Sequence, residues 1–271
     1  MNNQSPASPS SVQTTFNYAH PDESRPVYYQ YELEPGKPAP VPPADKQSAQ
    51  VRDISGRTSE FNLDTNGFSC ASAPCPELDW LSADQVRDNY YRDCVELVLQ
   101  ATGGEHALAF DHNIRDRSNT ECQSPVRFVH NDYTEQSAPQ RVYDLLEASD
   151  AEQRLKRRYA FINVWRPLSH PALDFPLAIC DAQSLHFDDF VPTDLKYRDR
   201  IGEIYSVRHA PRHAWLYFGG MKPDDIYLLK CFDSADDGRA RYTAHSSFKA
   251  PDISEDVPTR KSIEVRTIVF F

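Results

Sequence analysis

Three places in this chain set a histidine and an aspartate two residues apart: His20/Asp22, His130/Asp132 and His186/Asp188. Side chains of an extended strand alternate between faces, so each such pair points one way and both members can reach one metal ion. Two imidazoles and one carboxylate on a common face are the ligand set of an iron that must keep its other positions open. Context separates the pairs. His20 precedes Pro21 in an N-terminal arm, and His186 lies in the acidic run His186-Phe187-Asp188-Asp189-Phe190, with no clear strand leading into it. His130 and Asp132 follow Val126-Arg127-Phe128-Val129, a strand-like run whose Val126 and Phe128 share the face of the two ligands.

A third ligand should come from a later strand. His245, in Thr243-Ala244-His245-Ser246-Ser247-Phe248, is well placed, with His213 as the alternative. His209 and His213 have the spacing of a helical metal pair, but Pro211 between them disfavours a regular helix. Spacing alone does not separate these ligand readings from ordinary structural histidines. Beyond His245, Arg260 and Ser262 would share a strand face and offer a guanidinium fork and a hydroxyl to one carboxylate; Arg266 is equally available by spacing. Lys230 and Asp233 read more simply as a salt-bridged strand end.

These residues need a scaffold. A helix is predicted from Ser82, where Ser82-Ala83-Asp84-Gln85 reads as a capping box, through Val86, Tyr90, Cys94 and Val98 to Gly103. A second helical stretch follows Pro139, and a third opens at Ser149-Asp150-Ala151-Glu152. After Pro176 the pattern turns to short strand-like runs: Leu177 to Cys180, Ile204 to Val207, Trp215 to Phe218, Ile226 to Phe232 and Ile263 to Phe271. This predicts a mainly-β α+β domain, a barrel or jelly roll backed by helices. Residues 1–15 are polar and expected to form a disordered tail. Residues 16–80 form an extended arm with strands, residues 81–271 carry the helices and the jelly-roll core, and 16–271 make one domain.

Bulk properties narrow the function. With 29 Lys+Arg against 40 Asp+Glu the net charge is −11, which disfavours nucleic acid. The chain has no basic-then-apolar leader and no apolar run long enough to span a bilayer, so a cytoplasmic protein without a membrane partner is expected. Six cysteines without a Cys-x-x-Cys pair predict mostly reduced core thiols, a local Cys70–Cys75 bridge being left open. The composition leaves a homo-oligomer open.

Seven segments, taken together, resemble one family. They are Phe110-Asp111-His112 with Arg115, His130-Asn131-Asp132-Tyr133-Thr134, Asn163-Val164-Trp165-Arg166-Pro167-Leu168, Pro176 to Ala182, Lys230 to Ser234, Thr243 to Phe248 and Arg260 to Arg266. In this order, from about residue 50 onwards, the chain resembles the fungal and bacterial oxidoreductases grouped with the cephamycin 7-hydroxylase component and the AsaB-type hydroxylase/desaturases. The resemblance implies a double-stranded β-helix, or cupin-like jelly roll, and an oxygenase that uses Fe(II), 2-oxoglutarate and O2. It carries His130, Asp132 and His245 onto the family's metal positions. It makes Arg260 and Ser262 the clamp for the cosubstrate carboxylate, and Arg166 a second candidate for an anion contact. The implied reaction is hydroxylation, desaturation or oxidative cyclisation of a small molecule, with release of succinate and CO2. An aromatic pocket from Phe110, Tyr133, Trp165, Trp215 and Tyr217 would suit an apolar or mixed secondary-metabolite intermediate. The rival readings are a metal-dependent oxygenase or hydrolase that does not use 2-oxoglutarate, and a non-catalytic jelly-roll binding protein.

Overall fold

The computed structural model describes residues 10–271 apart from 121, 252 and 255. In chain order the first strands are β1 (Ser11–Ala19), β2 (Val27–Tyr29), β3 (Ala44–Asp53) and β4 (Phe68–Ser72). A helical segment follows: α1 (Ala83–Gln85), a π turn (Val86–Tyr90) and α2 (Tyr91–Thr102). Next come β5 (His106–Asp116), β6 (His130–Asn131), α3 (Ser137–Leu145) and α4 (Ala148–Arg154). The remaining strands are β7 (Tyr159–Pro167), β8 (Leu177–Cys180), β9 (Phe190–Lys196), β10 (Ile201–Val207), β11 (Trp215–Tyr217), β12 (Asp225–Asp233), β13 (His245–Ser247) and β14 (Lys261–Phe270).

These strands form two sheets, a nine-stranded one ordered β1-β3-β11-β8-β13-β6-β10-β9-β2 and a five-stranded one ordered β4-β12-β7-β14-β5. From β5 to β14 the chain crosses between sheets at six of nine steps, staying in the large sheet only from β8 to β11, in the manner of a double-stranded β-helix. The five-stranded sheet is antiparallel throughout, with β7 between β12 and β14. All nine residues of β7 are buried, so the strand must be covered on both faces. Phe161 and Trp165 join the core between the sheets, whereas Ala160, Ile162 and Val164 pack outward beneath the helix. Asn163 therefore shares the inner face, and Arg166 the outer one.

The helix forms as its sequence dictates. Ser82 Oγ accepts a bond from Gln85 N at 3.4 Å, and the last turn closes on Gly103, at φ 69, whose N–H returns to Leu99 O. Val86, Tyr90, Cys94 and Val98 are all buried in the core cluster under the outer face of the five-stranded sheet. The other cap differs from expectation: α4 begins at Ala148 with Glu147 before it, so Ser149 lies inside the helix and caps nothing.

The N-terminal segment also departs from the sequence expectation. Residues 1–9 of the expected tail lie outside the described residues, but Ser11–Thr15 are strand, paired antiparallel with β3 from Ser11↔Arg52 to Ala19↔Ala44. Their polarity reflects an edge strand with one solvated side, not disorder. Farther along β1, Phe16 stacks on Trp215 with ring centroids 4.0 Å apart. Within the arm expected from residue 16 lie the end of β1 and the whole of β2, the two outermost strands of the large sheet.

Candidate functional site

His130 and His245 are direct partners in the β6/β13 pairing. Their rings lie 4.4 Å apart, and His130 Nδ1 and His245 Nδ1 sit 2.9 and 3.0 Å from the carbonyl oxygens of Phe128 and Thr243. Each Nδ1 must donate to that carbonyl, which leaves Nε2 as the lone-pair nitrogen of both rings. Asp132, one residue past the end of β6, brings Oδ1 to 3.8 Å from His130 Nε2. Among the described residues, His130, Asp132 and His245 form a group whose ligand atoms all lie within 4.8 Å of one another. Two imidazole nitrogens and one carboxylate fit a divalent iron.

Electrostatics keep this set ready to coordinate. Burial, reinforced by His245, pushes the His130 imidazole down to about 3, so it is neutral across the physiological range. Burial alone would raise the Asp132 carboxyl, but the Arg266 guanidinium, helped by the Asn163 hydrogen bond, outweighs it and holds the group well below the ordinary carboxylate range. Asp132 Oδ2 is occupied separately, by Asn163 Nδ2 at 2.5 Å and by Arg266 Nε at 3.9 Å. Arg266 in turn gives Nη1 to Asp111 Oδ2 at 2.8 Å.

Asn131, between His130 and Asp132, is fully buried and ties β6 to β12 and to the segment that leads into β13. Its Nδ2 donates to Cys231 O and Tyr133 O, and its Oδ1 accepts from Thr243 N. Thr243 Oγ1 continues the chain of bonds to Gly67 O. Sequence reasoning did not single out Asn131 or Asn163, because a polar residue in an apolar run gives no sign of partners about 30 to 110 residues away.

The second cluster lies where β14 begins. Arg260 is buried, donates Nη1 to Phe175 O at 2.7 Å, and stands 5.5 Å from the Trp165 ring centroid. Its Nε has no partner, and neither does the buried Ser262 Oγ. Burial, then repulsion from Arg115, pushes the Arg260 guanidinium down to about 9. A desolvated guanidinium beside an unsatisfied hydroxyl is costly unless something anionic completes both. The pair fits a carboxylate such as the distal one of 2-oxoglutarate.

Arg166 does not belong to this cluster. It points to the outer side of β7, donates to the Ala73 and Pro74 carbonyls, and lies 5.6 Å from the Tyr90 ring centroid. This corrects the expectation of an anion contact: strand alternation puts Arg166 on the face opposite Trp165. The competing histidines are elsewhere too. His213 bonds Asp189 and Tyr18, His20 and Asp22 pair at 3.7 Å with both side chains exposed, and His186 precedes a short 3-10 turn. His112 faces outward to Tyr91 OH at 2.8 Å.

A cavity of about 1050 Å³ opens over His130 and Asp132. Its wall is not the aromatic one expected: of the five aromatic residues, Tyr133 alone lines it. Trp215 is sealed against Phe16, Tyr217 packs on Phe248, Trp165 lies near Tyr227, and Phe110 meets Phe161. Residues such as Asn113, Gln123, Gln136, Arg141 and Glu203 take their place.

A family model described as oxidoreductase/YMDC permease-like domain matches residues 16–270. The chain is 30% identical over 252 residues to the hydroxylase/desaturase efuI of Hormonema carpetanum, covering 83% of this chain and 84% of that protein. It is also 30% identical over 253 residues, 90% of each chain, to the Fe(II)/2-oxoglutarate-dependent dioxygenase nvfI of Aspergillus novofumigatus. A solved structure of the iron and alpha-ketoglutarate-dependent endoperoxidase NvfI superposes with a TM-score of 0.86 at 27% identity, covering 96% of this chain and 98% of that one. A second NvfI structure, in a different conformation, gives 0.90 at 25% identity, covering 98% and 99%.

Proposed function

We propose, from the premise that the chain belongs to the oxidoreductase family of the Fe(II)/2-oxoglutarate-dependent hydroxylase/desaturases, that His130, Asp132 and His245 hold its iron and that Arg260 and Ser262 hold the distal carboxylate of its 2-oxoglutarate. The protein is an iron(II)- and 2-oxoglutarate-dependent oxygenase that oxidises a C–H bond of a small organic molecule in secondary metabolism. When bound, iron, 2-oxoglutarate and O2 supply an oxidant able to remove hydrogen from carbon, with succinate and CO2 released.

The protein's own part is to bind, orient and exclude. His130 and His245 turn their Nε2 atoms toward the metal position because their Nδ1 atoms are committed to backbone carbonyls. Asp132 supplies negative charge through Oδ1 while Asn163 fixes Oδ2, which keeps the carboxylate from rotating. Arg260 and Ser262 anchor the far end of the cosubstrate inside the barrel, so that its other end reaches the metal ligands. The substrate enters from the cavity over His130 and Asp132, where hydrogen-bonding side chains place one C–H bond at the reacting centre.

The observation that carries this reading is the convergence of the three ligand atoms within 4.8 Å, on one side of a barrel that also holds an unsatisfied guanidinium and hydroxyl. Free thiols at Cys70, Cys75, Cys94, Cys180 and Cys231 support a reducing, cytoplasmic setting. The net charge of −11 argues against a nucleic-acid partner.

The test is an anaerobic titration with Fe(II) and 2-oxoglutarate, following the weak visible charge-transfer band, on the parent protein, His130→Ala and Arg260→Ala. A band in the parent that is lost from His130→Ala and weakened in Arg260→Ala is the expected result. A band unchanged in Arg260→Ala would remove the clamp assignment, and one unchanged in His130→Ala would remove the ligand assignment.

A further inference from the structure

The cosubstrate clamp has a neighbour that the assigned chemistry does not use. In the β5/β14 register Arg115 is the direct partner of Ser262. Directly paired side chains share a sheet face, and Arg260, two residues before Ser262, lies diagonally next to Arg115 on that face. Arg115 lines the cavity over His130 and Asp132. Its Nη1 is held by Gln123 Oε1 at 3.1 Å and Ser124 O at 2.8 Å, both neutral acceptors. Among the described residues no carboxylate lies within ion-pair distance of Arg115, although Arg266 on the same sheet pairs with Asp111.

Two guanidiniums that repel one another across an unsatisfied hydroxyl make an incomplete arrangement. Arg115 and Arg260 both feel burial that disfavours their charge. Around them Arg117 and Arg127 stack on Phe175, with Arg117 also 3.7 Å from Asp174. Glu264 offsets part of this repulsion for both arginines, and Asp174 for Arg260, but among the described residues neither carboxylate is within ion-pair distance of Arg115 or Arg260, and a single carboxylate set between Arg115, Arg260 and Ser262 would relieve the repulsion and satisfy the hydroxyl together.

We propose that Arg115 is a second guanidinium for the distal carboxylate of 2-oxoglutarate, so that the cosubstrate is held by a two-arginine clamp. The inference rests on the assignment of Arg260 and Ser262. A two-arginine clamp makes the enzyme selective for 2-oxo acids that carry a distal carboxylate. Gln123 and Ser124 act as positioning residues that hold Arg115 Nη1, leaving the rest of the fork for the ligand.

The experiment measures binding, not turnover. Anaerobic Fe(II)-loaded parent, Arg115→Met, Arg115→Lys, Gln123→Ala and Arg260→Met proteins are titrated with 2-oxoglutarate and with pyruvate, which lacks the distal carboxylate. The visible band reports binding of either acid, and cobalt(II) absorption reports the metal site separately. Arg115→Met should weaken 2-oxoglutarate roughly 10–100-fold and leave pyruvate and cobalt(II) unchanged, with Arg115→Lys and Gln123→Ala intermediate. Parental 2-oxoglutarate binding in Arg115→Met, with Arg260→Met impaired, would overturn the inference and leave the clamp reading intact. Unimpaired binding in Arg260→Met would remove the clamp reading itself. Should Arg115→Met fail to fold, Arg115→Lys and Gln123→Ala decide the matter, since a purely structural Arg115 would lower their stability without separating the two acids.

Discussion

Asn163 Nδ2 donates to Asp132 Oδ2 at 2.5 Å, a bond that joins the five-stranded sheet to the segment that follows β6 of the nine-stranded one. The consequence is a division of labour within one carboxylate: Oδ2 is engaged by the opposite sheet, and Oδ1 faces His130 Nε2. The buried Cys231 thiol, 3.8 Å from Oδ2, closes the same side. The two sheets therefore set the orientation of Asp132 together, and a change in either should be felt at the metal.

Asn163→Ala is expected to weaken Fe(II) or cobalt(II) binding by roughly 10–100-fold, the usual effect of losing a group that orients a ligand. The alanine leaves Asp132 free to rotate about its side-chain bonds. Isothermal titration of the metal-free protein with cobalt(II) measures this, and an affinity equal to the parent's would show that Asn163 does not orient Asp132.

Much of this site was legible because its members are close in sequence. His130/Asp132 and Arg260/Ser262 each share a strand face by simple alternation, and the strand-like residues before His130 distinguished it from His20 and His186. Arg166 was misread for the same physical reason that makes β7 central. A strand buried along its whole length, Tyr159–Pro167, shows no alternation of polarity, so its sequence does not say which residues face the barrel. Aromatic residues were misread similarly: Trp215 and Trp165 join the same core cluster as Tyr133, and burial alone does not say which of them reaches the cavity. The polar edge strand Ser11–Ala19 was missed because one solvated face makes it resemble a linker. Asn131, Asn163 and Arg115 acquire roles from partners distant in sequence, which no local pattern carries.

Arg166 and Arg260 are both buried arginines, yet their substitutions should separate cleanly. Arg166→Met loses bonds to the Ala73 and Pro74 carbonyls, and should reduce stability by about 1–3 kcal/mol with 2-oxoglutarate affinity unchanged. Urea unfolding and the 2-oxoglutarate titration, run on one preparation, measure the two effects. A weakened 2-oxoglutarate affinity in a folded Arg166→Met protein would contradict the outward orientation.

Acid stability should depend on the ion pairs of Asp233. This carboxylate bonds Lys230 Nζ at 2.9 Å and Arg158 Nη2 at 2.7 Å. Burial alone would raise its pKa, but Arg158 and Lys230 outweigh that and hold it below the ordinary value of 3.8. A depressed carboxylate contributes stability that is complete above the unfolded-state pKa and is lost as pH falls through the folded one, so the loss belongs below about pH 4. Asp233→Asn should cost about 2 kcal/mol near neutral pH, because Lys230 keeps the half-exposed Asp64 at 2.6 Å but loses its buried partner, and should flatten the acid limb of the urea midpoint against pH. An acid limb as steep as the parent's would assign that limb to other carboxylates.

Gly67 gives the most local route to the metal site. It adopts φ +78, and a Cβ there would lie 2.3 Å from Thr243 Oγ1 and 3.2 Å from Tyr242 O. Thr243 is the residue whose hydroxyl bonds Gly67 O and whose carbonyl receives His245 Nδ1, so any displacement passes directly to His245. Gly56 makes a natural control: it has a similar φ of +79, and a Cβ there meets nothing within 4 Å. Gly56→Ala should cost about 1 kcal/mol, the backbone strain alone. Gly67→Ala should cost about 3 kcal/mol and also weaken cobalt(II) binding, because strain and steric conflict add. Thermal unfolding of both variants, with and without cobalt(II), checks this: a parental metal-induced stabilisation in Gly67→Ala would mean that the Thr243 displacement is absorbed before it reaches His245.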